Sequence, residues 1–448
     1  MNVKTFKGGV HPEEYKDMSK TLPVERYLPK GDLIFPLNQH IGKPAKPVVA
    51  KGDEVQVGQL IAEADGFISA NIFSSCSGKV KAIEPRATIS GPRVMCIVIE
   101  NDGQFTPAPG VGDKVDPDSL SNQDILDKIK WAGIVGMGGA GFPTNVKLMP
   151  KDPEAIEYVI ANGCECEPYI TCDDRLMQEH NRGIVEGLKL CLRLFINAKG
   201  VIAIEDNKPD AIKAMESVCI GESSISVQPV ATKYPQGGER NLISVIAGRN
   251  IKAGQLPAEV GTVVCNVASL YAIYQACCKN TPLYERYFTV TGTAVASPRS
   301  LIARIGTSEA ELLEAAGGVR SGTSIKKALC GGPMMGIAMS SLDVPVCKNN
   351  NALTLLAEDP VEDADQVMTE CIRCGRCARA CPIHLVPQAL ADAAERFDYE
   401  KYEKMYGLDC FQCGSCTYVC PAKRPLMQLF KQTKAVIMAE KRAKSAKK

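Results

Sequence analysis

CIRCGRCARACP (371–382) and CFQCGSCTYVCP (410–421) repeat one pattern, C-x2-C-x2-C-x3-C-P. Three thiolates at x2 spacing wrap one 4Fe–4S cluster, and the fourth, offset by three residues and followed by Pro, points away to ligate the other. The pattern gives Cys371, Cys374, Cys377 and Cys420 to one cluster. Cys410, Cys413, Cys416 and Cys381 take the second. Paired zinc sites also use C-x2-C, but zinc takes four ligands per site and rarely adds a third x2 step and Cys-Pro twice over.

Between Cys381 and Cys410 lie 28 residues, PIHLVPQALADAAERFDYEKYEKMYGLD. They are too many and too helical for a compact ferredoxin hairpin. Ala389, Leu390, Ala393, Ala394 and Phe397 share one helical face. The region resembles the α-helical ferredoxin domain of multi-subunit oxidoreductases, placed at 366–436.

Working outward, 448 residues exceed one ordinary core and predict about three or four domains. A net charge of +1 argues against a nucleic-acid binder. Twenty cysteines in a chain this long, eight of them in the two runs, point to metal in a reducing compartment. The first residues, MNVKTFKGGVHPEEYKD, hold no apolar segment of the kind a secretory signal needs. Val260–Cys278 is interrupted by Asn266, Ser269 and Gln275, so it reads as a buried strand and helix rather than a membrane span. The basic end, 437–448, reads as a solvated, disordered tail; attraction to an anionic lipid surface or an acidic partner is the alternative.

Residues 24–100 read as short strands between Gly and Asp turns. Their order is similar to the biotinyl/lipoyl-type flattened barrel, but the turn Asp65–Ala70 offers no Lys for a swinging cofactor. A Pro/Gly/Asp-rich linker, 101–118, leads to a capping sequence at Ser121–Asp124 and to Ile125, Leu126, Ile129 and Ala132 at helical spacing. From there to 283, helical stretches alternate with strand-like runs at Tyr158–Ala161, Val201–Ile204 and Thr262–Val264, the mark of an α/β domain. Residues 284–347 combine strands with one helix, Ser308–Ala316, and look like a β-grasp domain of the soluble-ligand-binding (SLBB) type. The fold class is thus multidomain α/β and α+β.

Gly136–Gly141 (GMGGAG) satisfies G-x-G-x-x-G, yet a helix precedes it where the dinucleotide fingerprint needs a strand. The neighbouring blocks are more telling. GGAGFPT (138–144) with Lys147, NGCECEP (162–168), YPQGGE (234–239) and CNVASL (265–270) resemble successive blocks of the NADH-binding flavoprotein subunit of respiratory complex I. That resemblance implies FMN held by Gly136, Gly138, Gly139, Lys147, Asn162, Glu165, Tyr234, Gly237, Glu239 and Asn266. It implies NAD(H) stacked on Phe142 and contacted by Glu167. Cys164 and Gly238 stand where that family carries acidic residues. Cys164, Cys166 and Cys172 read as small residues filling space, with an incomplete metal site as the alternative.

The domain order, barrel, flavin domain, β-grasp, two-cluster ferredoxin, resembles the RnfC/RsxC family of the Rnf electron-transport complex over nearly the whole chain. The resemblance implies two 4Fe–4S clusters, FMN and NAD(H). It also implies peripheral attachment at the cytoplasmic face of the membrane, through integral and ferredoxin-type partner subunits that couple ferredoxin:NAD+ electron flow to Na+ or H+ translocation. Two alternatives stay open. One is the flavoprotein subunit of a soluble NAD-linked hydrogenase or a corrin reductase; the other is a non-catalytic electron wire whose flavin site has decayed.

Overall fold

Four parallel strands, in the order Ile225–Val230, Lys199–Glu205, Tyr158–Gly163, Thr262–Asn266, form the central sheet of the computed structural model. The structure describes residues 3–445 save Ser90, Ala253 and Gln366. The inner strands read as near-continuous apolar runs because helices cover both faces. Val159, Ala161, Ile202 and Val263 face helices Asn181–Arg193 and Val267–Lys279. Ile160, Ala203 and Val264 face helix Glu239–Ala247. Chain order reverses between Tyr158–Gly163 and Thr262–Asn266, and ligands of open α/β sheets bind outside the carboxyl ends of strands at such a reversal. Asn162 and Asn266 pair in register at those ends.

The amino-terminal barrel pairs a four-stranded sheet (Leu33–Pro36, Val94–Asn101, Gly78–Arg86, Glu54–Val55) with a three-stranded one (Lys46–Pro47, Leu60–Glu63, Ile72–Phe73). The β-grasp sheet has six strands and reaches beyond 284–347 at both ends. Glu25–Arg26 adds an edge strand parallel to Arg299–Arg304, with Glu25 opposite Leu301. Ala352–Leu356, buried throughout, lies between Glu285–Thr291 and Lys327–Cys330.

The carboxyl-terminal domain is helical, as expected, with Leu390, Ala393, Ala394, Tyr402, Leu426 and Phe430 in its core. Phe397 departs from its expected face. Its helix stops at Glu395, Phe397 turns to a φ of 57°, and its ring is 75% exposed. The basic end also differs from the disordered tail expected. Helix Leu426–Ser445 runs through it, buried at Ile437 and tied to Glu403 by Lys441, and its Ala, Glu, Lys and Arg residues are good helix formers. Residues 446–448 lie outside the described residues. Val260–Cys278 is strand and helix, and among the described residues no helix is long and apolar enough to cross a membrane.

Candidate functional site

The capped helix Asn122–Trp131 delivers the glycine loop to the point where the sheet order reverses. The Gly136 amide donates to the Phe142 carbonyl at 2.8 Å, closing the loop. Its middle is held by the Met137 amide on Ser269 Oγ (3.1 Å) and by the buried Arg286 guanidinium on the Met137 carbonyl (3.4 Å). Gly138 lies so close to Asn266 that an added Cβ would come within 2.9 Å of its amide nitrogen; at Gly139 a Cβ would meet nothing. Bare, exposed backbone therefore faces the carboxyl ends of the strands, which suits a flat ring or a phosphate.

Other predicted residues gather there through three hydrogen-bonded sets. Asn162 donates to the Gly237 carbonyl (2.9 Å), and Lys147 spans Glu239 (3.0 Å) and the Val264 carbonyl (2.8 Å). Asn266 caps helix Val267–Lys279 through the Ala268 amide (2.8 Å) and donates to Asp173 (2.7 Å). Glu165, at a φ of 46°, accepts from the amides of Asp173 (2.6 Å) and Asp174 (3.2 Å). Burial pushes its carboxyl up to about 8, opposed by the Lys16 ammonium. Phe142 is half-buried where the loop closes on Gly136.

Two predicted residues have other partners. Glu167 accepts from the amides of Met334 (3.1 Å) and Met335 (2.8 Å), clamping a β-grasp turn rather than reaching freely for a nicotinamide. Burial raises its carboxyl to about 7 against the pull of those two amides. Tyr234 is fully buried, and its hydroxyl donates to the Cys413 carbonyl at 2.7 Å, so it joins the flavin and cluster domains.

Sequence reasoning missed the groups beneath the acidic loop. Lys16, buried in a stretch with no readable pattern, donates to the carbonyls of Glu165 (2.8 Å), Glu167 (2.9 Å) and Ile170 (2.5 Å). Lys208 pairs with Glu205 (3.2 Å) and donates to the Cys164 carbonyl (2.7 Å), with both side chains buried. Asp173 carried no motif; the glycines of GGPMMG (331–336) are the signal that could have marked the turn Glu167 holds. The three loop cysteines diverge: Cys164 Sγ points at the Ala203 carbonyl, Cys172 Sγ at the Asn351 carbonyl, and Cys166 packs with Tyr234 and Cys413.

In the helical domain, Cys381, Cys410, Cys413 and Cys416 line one cavity. Cys371, Cys374, Cys377 and Cys420 line a second. Among the described residues, the one grouping of three or more His, Cys, Asp or Glu ligand atoms within 4.8 Å of each other is Glu165, Cys172 and Asp173. No three of the sulfurs around either cavity lie within 4.8 Å of one another, whereas tetrahedral Zn–S bonds impose a separation of about 3.8 Å. Such spacing fits a larger iron–sulfur cube. The first cavity abuts the flavin domain, with Tyr234 bonded to Cys413 and Phe411 against Gly238. An amino-terminal strap adds to this seam, Gly9 N–H on the Ala380 carbonyl (2.8 Å) and Val10 N–H on the Tyr234 carbonyl (2.8 Å). At the second cavity Cys371 and Cys374 are exposed.

Family profiles match in the same order along the chain. Residues 4–104 match the RnfC barrel sandwich hybrid domain and 129–275 the Nuo51 FMN-binding domain. Residues 287–338 match the SLBB domain and 370–423 the 4Fe-4S dicluster domain. The chain is 43% identical, over 97% of its length and 94% of the relative's, to the C subunit of the proton-translocating ferredoxin:NAD(+) oxidoreductase complex of Clostridium ljungdahlii. It is 41% identical, over 99% of both, to the C subunit of the Na(+)-translocating ferredoxin:NAD(+) oxidoreductase complex of Acetobacterium woodii. To the C subunit of the ion-translocating oxidoreductase complex of Pseudomonas aeruginosa it is 39% identical over 98% of this chain and 56% of that one. Its fold is similar to a chain of an NAD+-reducing NiFe-hydrogenase in the H2-reduced state, with a TM-score of 0.51 and 20% identity over 72% of this chain and 63% of the other. With its FMN and 4Fe–4S dicluster domains, this chain belongs to the RnfC family, the C subunits of ion-translocating ferredoxin:NAD(+) oxidoreductase complexes.

Proposed function

We propose that this chain is the NAD(H)-reactive subunit of an ion-translocating ferredoxin:NAD+ oxidoreductase, passing single electrons between its flavin site and membrane partners. The observation that carries this reading is the seam at Tyr234. The residues gathered at the sheet's reversal point and the cavity lined by Cys381, Cys410, Cys413 and Cys416 meet across one buried hydrogen bond. FMN, when bound, exchanges a hydride with a nicotinamide and single electrons with iron–sulfur clusters.

The chain's own groups supply the rest. Gly136, Gly138 and Gly139 leave room for a ring to lie on backbone. Lys147, Asn162, Glu165, Gly237, Glu239 and Asn266 set the shape and charge of the floor. The amino end of helix Val267–Lys279, capped by Asn266, opens at the same place and favours a phosphate. Phe142, half-buried where the loop closes on Gly136, would stack against NAD(H). Burial makes the Glu165 carboxyl hold its proton more readily than an ordinary carboxyl, which would lower the negative charge near a bound flavin. Cys381, Cys410, Cys413 and Cys416 hold the inner cluster, and Cys371, Cys374, Cys377 and Cys420 the outer one. The exposed outer cavity is the face for a ferredoxin-type partner, and integral subunits hold the chain at the cytoplasmic side of the membrane.

The test is an anaerobic titration of the purified chain with NADH. The reading predicts FMN in the preparation and bleaching of both flavin and cluster absorbance. A preparation that takes up FMN but does not respond to NADH would leave the chain a bare electron wire. Phe142→Ala should raise the NADH requirement while leaving cluster content unchanged.

A further inference from the structure

Just before strand Ala352–Leu356 the chain forms a short loop, 347–350, held against the glycine loop. The Cys347 amide donates to Asn350 Oδ1 (2.9 Å), and Asn350 Nδ2 donates to the buried Glu309 carboxyl (2.6 Å). Gly141 lies so close that an added Cβ would come within 3.3 Å of Asn349 Cβ. From this anchored loop the fully buried Lys348 side chain reaches the stem of the glycine loop. Its ammonium donates to the carbonyls of Asn71 and Gly133, the latter at 2.7 Å. Gly133 turns at a φ of +63°, and an added Cβ would come within 2.7 Å of that ammonium. The Lys348 carbonyl in turn accepts from the Arg286 guanidinium, which also donates to the carbonyls of Tyr287 (3.2 Å) and Met137 (3.4 Å).

Arg286 and Lys348 are both buried, and among the described residues neither forms an ion pair. Backbone carbonyls alone hold the two cations, an arrangement that is costly unless a negative group comes near. Burial pushes the Lys348 ammonium down to about 7. The next residues of the loop, Gly138, Gly139 and Ala140, are exposed, and among the described residues none of their amides donates to an acceptor in the chain. We propose that Lys348 and Arg286 are positioning residues of the flavin site. They hold the Gly133 and Met137 carbonyls from behind and leave the amides of Gly138, Gly139 and Ala140 to a phosphate group. The two positive charges add to the attraction that bare amides exert on an anion. The proposal rests on the flavin and NAD(H) reading above, and the phosphate is that of FMN or the pyrophosphate of NAD(H). Both cations belong to the β-grasp sheet and its entering loop, so that domain shapes the site through the loop it supports.

The test titrates the flavin-free full chain with FMN and with riboflavin, which lacks the phosphate, by quenching of flavin fluorescence. Lys348→Met keeps the side-chain length and removes the charge. It should weaken FMN about tenfold or more and leave riboflavin within about twofold of wild type. Arg286→Lys keeps a charge but cannot hold both carbonyls, and should give the same split at about three- to fivefold. If the anion is instead the pyrophosphate, FMN binding stays unchanged and KM for NADH rises by those factors at constant kcat, which also supports the proposal. Equal losses for FMN and riboflavin overturn it, because the pair would then be serving the fold. Unchanged FMN binding together with an unchanged NADH KM overturns it too. If Lys348→Met does not fold, Arg286→Lys decides by the same comparison, and failure of both to fold overturns the proposal. If the wild-type chain binds no FMN, the flavin reading itself fails and the proposal falls with it.

Discussion

The two cysteine runs are near copies in sequence and opposites in setting. One cavity, lined by Cys381, Cys410, Cys413 and Cys416, is closed against the flavin domain by Tyr234, Phe411 and the amino-terminal strap. The other, lined by Cys371, Cys374, Cys377 and Cys420, leaves Cys371 and Cys374 exposed beside a wide groove bordered by Arg373, Arg396, Asp392 and Glu395. Ligand spacing fixes what each run can hold; the surrounding domains fix what each can exchange electrons with. The exchanged fourth cysteines, Cys381 and Cys420, interlock the two sites, so an inner and an outer station follow from one fold.

The comparison breaks most visibly at the inner site. Cys413→Ala should cut NADH-driven reduction of the outer cluster to below about a hundredth of the wild-type rate, while NADH still bleaches the flavin. Stopped-flow absorbance, with iron content measured on the same sample, checks it. Cys374→Ala should do the converse: flavin and inner cluster respond to NADH normally, and transfer to an added ferredoxin is lost. Tyr234→Phe is milder. It leaves the buried Cys413 carbonyl without its donor, a loss of about 1–3 kcal/mol, and should slow flavin-to-cluster transfer several-fold without loss of iron.

The smallest effect concerns pH. Glu167, pinned to Met334 and Met335, has a carboxyl raised to about 7 in the folded chain. The folded state then holds a proton that the unfolded state releases above the usual Glu range. Its contribution to stability is therefore lost as pH rises from about 4.5 through about 7. Glu167→Gln should flatten the fall of melting temperature across that window. An unchanged slope would place the pH sensitivity elsewhere.

Much of this was legible because the chemistry is local. Cysteine spacing and the run Tyr158–Ala161 announce themselves within a few residues, and the capping box at Ser121–Asp124 marks a helix start that the structure contains. Strand Ile225–Val230 was missed because it lies at the sheet edge, half-exposed, with Pro229 in it. The strap from Lys4 to Val10 makes isolated bridges to Val230 and Tyr234 instead of regular pairing, so it has no periodicity to detect. Lys16 looks like any surface lysine until the fold closes three carbonyls around it. The roles of Glu167 and Tyr234 as clamps depend on domains that meet far apart in sequence, at Met334 and Cys413.

The central claim is that the inner cysteine site stands between the flavin and the exposed one. Rapid anaerobic mixing of the FMN-loaded Cys413→Ala chain with NADH tests it most directly. The account predicts fast flavin bleaching with the outer cluster left oxidised. Reduction of the outer cluster at the wild-type rate would contradict it.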